Sequence, residues 1–143
     1  MHHFVVVASR SAHPISEPLL RFLDDPTPPE VPFTPQQHLH WASSTGSVHL
    51  GSWSADELLP STTVTADGGV VALGGQPIVT RPPEAAAFLR PDVVARHVRA
   101  LRDLTERLDG PYAIVSIRAN GSGTIVNDPF GLHPLYLGRS GSV

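Results

Sequence analysis

Apolar positions along the chain come in short bursts separated by proline and glycine. Residues 4–8, Phe-Val-Val-Val-Ala, form a β-branched run too short for a helix and predict a buried strand at the start of the chain. Between residues 14 and 35 stand Pro14, Pro18, Pro26, Pro28, Pro29, Pro32 and Pro35. Only Leu19 to Leu23 leaves room for a short helix in this proline-stiffened loop. Two strands are expected next, His38–Ser43 and Val48–Trp53, joined by Ser44-Thr45-Gly46 as a hairpin turn. A second hairpin is predicted for Ser61–Ala66 and Val70–Leu73, turning at Asp67-Gly68-Gly69, with Gly74-Gly75 breaking the strand. Prolines 82, 83 and 91 make residues 77–91 irregular, with a turn of helix at Glu84–Leu89. The strongest helical period runs over Asp92–Leu108. Asp92 is the expected cap, Val94, Val98, Leu101, Thr105 and Leu108 share one face, and Gly110 is the stop. Tyr112–Ala119 reads as an alternating strand whose hairpin partner is Thr124–Asn127. Pro129, Gly131 and Pro134 then shape a tight segment ending in Leu135-Tyr136-Leu137. Many short strands and one firm helix late in the chain predict an α+β domain with largely antiparallel sheets.

Composition narrows the chemistry. A chain of 143 residues with 41% hydrophobic and 16% charged residues has the size and balance of one globular domain, 1–143. It has no cysteine, so disulfides, thiolate metal sites and thiol catalysis are excluded. All ten basic residues are arginine, which removes lysine chemistry. The net charge is −3, and between residues 90 and 107 the arginines alternate with acids and apolar residues, as on a solvated helix face. Nucleic-acid binding is therefore disfavoured. No apolar run approaches the roughly 20 residues of a membrane span, and the opening residues lack the basic leader and long apolar core of a signal peptide. A soluble cytoplasmic domain is expected.

Arg107-Leu108-Asp109-Gly110-Pro111-Tyr112-Ala113-Ile114-Val115 resembles the "LxGxFAF" helix-to-strand junction of class II glutamine amidotransferase domains. One hairpin later, Asn127-Asp128-Pro129-Phe130-Gly131-Leu132-His133-Pro134-Leu135-Tyr136 resembles the "RDxxGxxPLYY" segment of asparagine synthetases. Upstream, Gly69-Val70-Val71-Ala72-Leu73-Gly74-Gly75 is loosely similar to the family's "vvlvlNGEIYN" strand. The likeness is good over residues 92–138 and thin over residues 1–91. It implies the N-terminal-nucleophile hydrolase sandwich, two antiparallel sheets with flanking helices, whose first strand begins at the second residue.

The same resemblance implies a catalytic set that this chain departs from. The family uses a cysteine exposed as the new N-terminal residue; here that place is His2, whose bulk also disfavours removal of Met1. The family's oxyanion-hole Asn-Gly falls on Gly74-Gly75, which has no side-chain donor. No match to the arginine and aspartate that clamp glutamine stands near residues 38–53 or 74–90. Departures at several parts of one mechanism imply that glutamine hydrolysis has been abandoned. Degenerate domains of this sort occur in β-lactam synthetases and lasso-peptide cyclases, where a synthetase domain adenylates a carboxylate with ATP and Mg²⁺ and an internal amine attacks it. His38-Leu39-His40-Trp41 and Val48-His49-Leu50-Gly51-Ser52-Trp53 resemble the cyclase branch. The expected role is that of a packing partner for a synthetase domain, in cis or on another chain, with a peptide as a possible substrate of the pair. The domain itself is expected to hold no cofactor, and no "SGGxDS" ATP loop occurs in its 143 residues.

Other readings compete with this one. His38 and His40 share a strand face, and His2, His3 and His49 are candidates to lie near them. No further ligand stands at a clear spacing, so no metal site is expected. Asp128-Pro129-Phe130-Gly131 reads as a bend with Phe130 and Tyr136 in the core, and His133 as a structural histidine. Ser9, Ser11 and His13 lack a nucleophile elbow and are loop residues. Trp41 and Trp53 read as core residues first; Phe130, Leu132, His133, Leu135 and Tyr136, helped by Trp41 or Trp53, are the candidates for an interface, with some of Leu132, Leu135 and Tyr136 exposed. The alternatives to a supporting domain are a free-standing binding or scaffold protein of the same fold, and a hydrolase using an unconventional processed nucleophile.

Overall fold

The computed structural model describes residues 2–9, 15–25, 36–55, 61–79, 87–88, 90–97, 106–134 and 136. In chain order the elements are β1 (His2–Ala8), α1 (Glu17–Asp24), β2 (Gln37–Ala42), β3 (Val48–Ser54), β4 (Thr62–Val64) and β5 (Val70–Gly75). β6 (Ile78–Val79), β7 (Ala87–Phe88), α2 (Pro91–His97), β8 (Leu108–Asp109), β9 (Tyr112–Ile117) and β10 (Gly123–Asn127) follow. The described chain is thus strand-rich with few helices. Two antiparallel sheets dominate, β1-β3-β2 and β10-β9-β5-β4, and a small third one joins β7-β6-β8.

Strand alternation places three apolar layers. On one face of β1-β3-β2, Phe4, Val6, Leu39, Trp41, Val48 and Leu50 meet Val70, Ala72, Val115 and Ile117 of the second sheet. On its opposite face Val5, Val7 and Trp53 pack under Phe22 and Leu23 of α1. Beyond the second sheet, Val71, Leu73, Tyr112 and Ile114 pack against Val94 of α2. The order is therefore helix, sheet, sheet, helix. Each fully buried aliphatic side chain contributes about 1.5–3 kcal/mol. Gly51 permits the outer helix contact, because a Cβ there would stand 2.8 Å from both Leu23 Cδ2 and the Trp53 ring.

Layering explains where the structure departs from the sequence pattern. Tyr112–Ile117 is buried at every position rather than alternately, because β9 is a central strand with a layer on each side. β5 continues through Gly74 and Gly75, which pair with Ala113 and Tyr112, so the glycines do not break it. Gly75 has φ +72°, and a Cβ there would stand 2.2 Å from the Pro111 carbonyl oxygen, so only glycine fits. Residues 77–91 are not all irregular: Ile78–Val79 pairs with Ala87–Phe88 and with Leu108–Asp109. Within the expected helical turn at Glu84–Leu89, Ala87–Phe88 is strand, and the remainder lies outside the described residues.

The late helix starts at Pro91, in the favoured first helical position, and the Arg90 carbonyl accepts from Val93 and Val94. Asp92 sits within the first turn, bonded to Arg90 Nε at 3.0 Å, and is not the cap. Residues 98–105 lie outside the described residues, and Leu108 belongs to β8 rather than to the helix. Leu108 still packs on the α2-side core, since the turn at Gly110 (φ +87°) and Pro111 feeds β9 directly.

Candidate functional site

The sheets converge at one end on the positions that the sequence singles out. His2 opens β1 opposite Ser54 of β3, and Phe4 lies opposite Ser52. By alternation His2 shares the inter-sheet face of Phe4 and Val6 and is buried there. Buried hydroxyls stand on the same side: Ser52 Oγ bonds Ser61 Oγ at 3.0 Å and accepts from Thr62 Oγ1. Gly74 closes the site from β5, its α-carbon directed at Phe4 and His133.

His133 reaches this place because Asp128 holds the chain in a bend. The Asp128 carboxylate is buried and accepts three backbone N–H groups, from Phe130 (3.1 Å), Leu132 (2.8 Å) and His133 (2.9 Å). Burial alone would raise its pKa, but hydrogen bonds from the backbone at His133, Leu132, Tyr112 and Phe130 outweigh burial and hold it below the usual carboxylate range. Gly131, at φ +64°, completes the turn. The imidazole is thereby seated against the two glycines. Its Nε2 lies 2.7 Å from the point a Cβ on Gly74 would take, and its Nδ1 lies 3.0 Å from the corresponding point on Gly75.

Burial lowers the pKa of His133, only partly opposed by Asp128. Burial also lowers that of His3, reinforced by His133. Both rings therefore favour the neutral form. Beside them runs an open groove of about 290 Å³, lined by His3, Phe4, Val6, Ile125, His133 and Tyr136 among others. Chemically this end combines neutral imidazoles, buried hydroxyls and an apolar wall. At Gly74 and Gly75 it presents backbone and the His133 ring.

The structure divides the interface candidates. Phe130, Leu132 and Tyr136 are 83%, 63% and 88% exposed, and His133 is half-buried. Phe130 and Tyr136 are accordingly not core residues: the N–H groups gathered on Asp128 turn the bend outward. Trp41 and Trp53 are buried and leave the interface set. Trp41 lies in the inter-sheet core with its Nε1 donating to the Gly68 carbonyl at 3.1 Å, and Trp53 lies beneath α1. Leu135 lies outside the described residues, as do Ser11 and His13.

His38 and His40 share the outer face of β2, as their spacing predicts, together with His49 of β3. His38 Nε2 donates to the Leu23 carbonyl at 2.6 Å, and its ring stacks on Trp53 with centroids 5.9 Å apart. His40 bonds Asp24 and His49. Among the described residues no group of three or more His, Asp or Glu side chains is disposed to hold a metal ion. Likewise no described helix is long and apolar enough to cross a membrane. Sequence reasoning missed the roles of Asp128 and Asp24; only the Asp-Pro-x-Gly spelling of a turn signalled the first.

Comparison of the chain with protein-family models, with curated proteins and with solved structures gives no match.

Proposed function

We propose that this chain is a catalytically degenerate glutamine amidotransferase-like domain that supports an ATP-dependent, asparagine synthetase-like amide-forming enzyme, such as a peptide macrocyclase or lactam synthetase. The observation that carries this reading is the seating of His133 against Gly74. The resemblance places the oxyanion amide at Gly74, and the imidazole takes the volume such a side chain needs. The nucleophile's place belongs to His2, buried on the inter-sheet face. The helix–sheet–sheet–helix order is the layering expected of an N-terminal-nucleophile hydrolase fold. ATP and Mg²⁺ are assigned to the synthetase partner. This chain contributes a surface framed by Phe130, Leu132 and Tyr136, whose exposure favours contact with another domain or chain.

The test has two arms. Incubation of the purified chain with glutamine is expected to release glutamate only at background rate, and turnover that survives repurification would refute the degenerate assignment. Co-expression with a synthetase encoded in the same reading frame or beside it is expected to yield a stable complex. A chain that remains alone with every such synthetase supports the free-standing binding protein instead.

A further inference from the structure

Three titratable side chains outside the candidate site form a continuous hydrogen-bonded chain across three elements. Asp24, the last residue of α1, bonds His40 Nδ1 on β2. His40 Nε2 lies 2.9 Å from His49 Nδ1 on β3, and His49 Nε2 lies 3.2 Å from the Gly46 carbonyl in the β2–β3 turn. Both ends of this chain are acceptors, and that settles where the protons must be. The Gly46 carbonyl can only accept, so His49 Nε2 carries a hydrogen. A neutral His49 then offers Nδ1 as an acceptor, so His40 Nε2 must donate. The Asp24 carboxylate also accepts, so His40 Nδ1 must donate as well. Three ring protons are required, whereas two neutral imidazoles carry two.

We propose that Asp24, His40 and His49 form a one-proton latch fixing the last turn of α1 to the β2–β3 hairpin. Without the extra proton one of the three bonds is lost. With a second extra proton, His49 Nδ1–H opposes His40 Nε2–H and the middle bond is lost. The latch therefore closes at a single proton count, and that count belongs to the group as a whole. Among the described residues its surroundings contain few other charges. α1 contributes Asp25 beside Asp24, with the Arg21–Glu17 pair one turn back. β2 contributes His38, which is committed to the Leu23 carbonyl. β1 presents Val7 opposite His49, and the turn residues 43–47 carry no charge. The latch supplements the apolar seat of Phe22 and Leu23, so it tunes how firmly the end of α1 is held rather than whether the helix docks.

Amide exchange at Asp25, whose N–H closes α1 on the Arg21 carbonyl at 2.9 Å, reads the latch directly. With intrinsic exchange rates divided out, protection in the full chain is expected to depend on pH, its maximum lying about two- to fivefold above its value at alkaline pH. Asp24→Ala removes an exposed carboxylate without touching the core, and with it the need for the third proton. Its profile is expected to be flat. Nitrogen-15 NMR of the imidazoles should find both His40 nitrogens protonated while His49 Nδ1 is not. Two neutral rings with α1 docked, or an Asp24→Ala profile that follows the parent's, would overturn the latch.

Discussion

His133 Nε2 and Gly74 exclude one another's growth: 2.7 Å separates the ring nitrogen from the place a Cβ on Gly74 would occupy, a distance that real Cβ atoms do not tolerate. Either residue 74 lacks a side chain or the imidazole sits elsewhere. Gly74→Ala is therefore expected to destabilise the fold by about 1–3 kcal/mol, the usual cost of overpacking. In a His133→Ala background the same change should cost at least about 1 kcal/mol less, since the nearest contact of the new methyl then relaxes from 2.7 Å to Phe4 at 3.1 Å. Urea denaturation of the four proteins closes the cycle, and additive costs would show that the two residues do not compete for space.

Asp128 organises the bend through both carboxylate oxygens. Asp128→Asn keeps an acceptor for Phe130 and Leu132 but turns an amide NH₂ toward the His133 N–H. A loss of about 1–3 kcal/mol is expected, with loosening of the His133 ring visible as sharpened, shifted imidazole signals in NMR. An Asp128→Asn variant as stable as the parent would remove the carboxylate from the account of the bend.

Acid should weaken this end of the sandwich. Burial lowers the pKa of His133 and His3 in the folded chain, so the unfolded chain binds protons more readily. The stability they contribute is complete above the ordinary histidine value of about 6.5 and is lost as pH falls from there toward their lowered folded values. Denaturation midpoints at pH 7.5, 6.5 and 5.5 (roughly spanning that window) should decline in the parent and decline less in His133→Gln. Equal slopes in both proteins would count against His133 as a source.

Leu132 separates surface from core. At 63% exposure its replacement by aspartate is expected to change stability by less than about 0.5 kcal/mol while weakening association with a synthetase partner. Thermal melting checks the first half and a pull-down the second. A variant that melts normally and binds normally would take Leu132 out of the interface.

How much of this was legible in advance depends on whether the signal was local. The strands at residues 4–8, 38–43 and 48–53, the helix around Leu19–Leu23 and the hairpins at Gly46 and Gly68 all follow from short-range pattern and turn chemistry, and the structure carries each within a residue or two. The pairing of His38 with His40 on one face needed only the strand period. The exposure of Leu132 and Tyr136 was among the expectations for an interface, whereas that of Phe130 was not, because an apolar bend looks like core until Asp128 gathers the N–H groups of Phe130, Leu132 and His133. Nor was the burial of both β9 faces, since alternation in sequence does not reveal that a strand is central with a layer on each side.

The sequence by itself determined most of the local elements, the exclusion of thiol and lysine chemistry, and the absence of a side-chain donor at Gly74. Tertiary structure decided what fills that space. Residues 2, 74 and 133 are distant in the chain, and only the stacking of two sheets and the Asp128 bend bring His133 against Gly74 beside Phe4. It likewise joined Asp24, His40 and His49, whose proton requirement exists only when a helix end, two strands and a turn carbonyl meet at hydrogen-bonding distance.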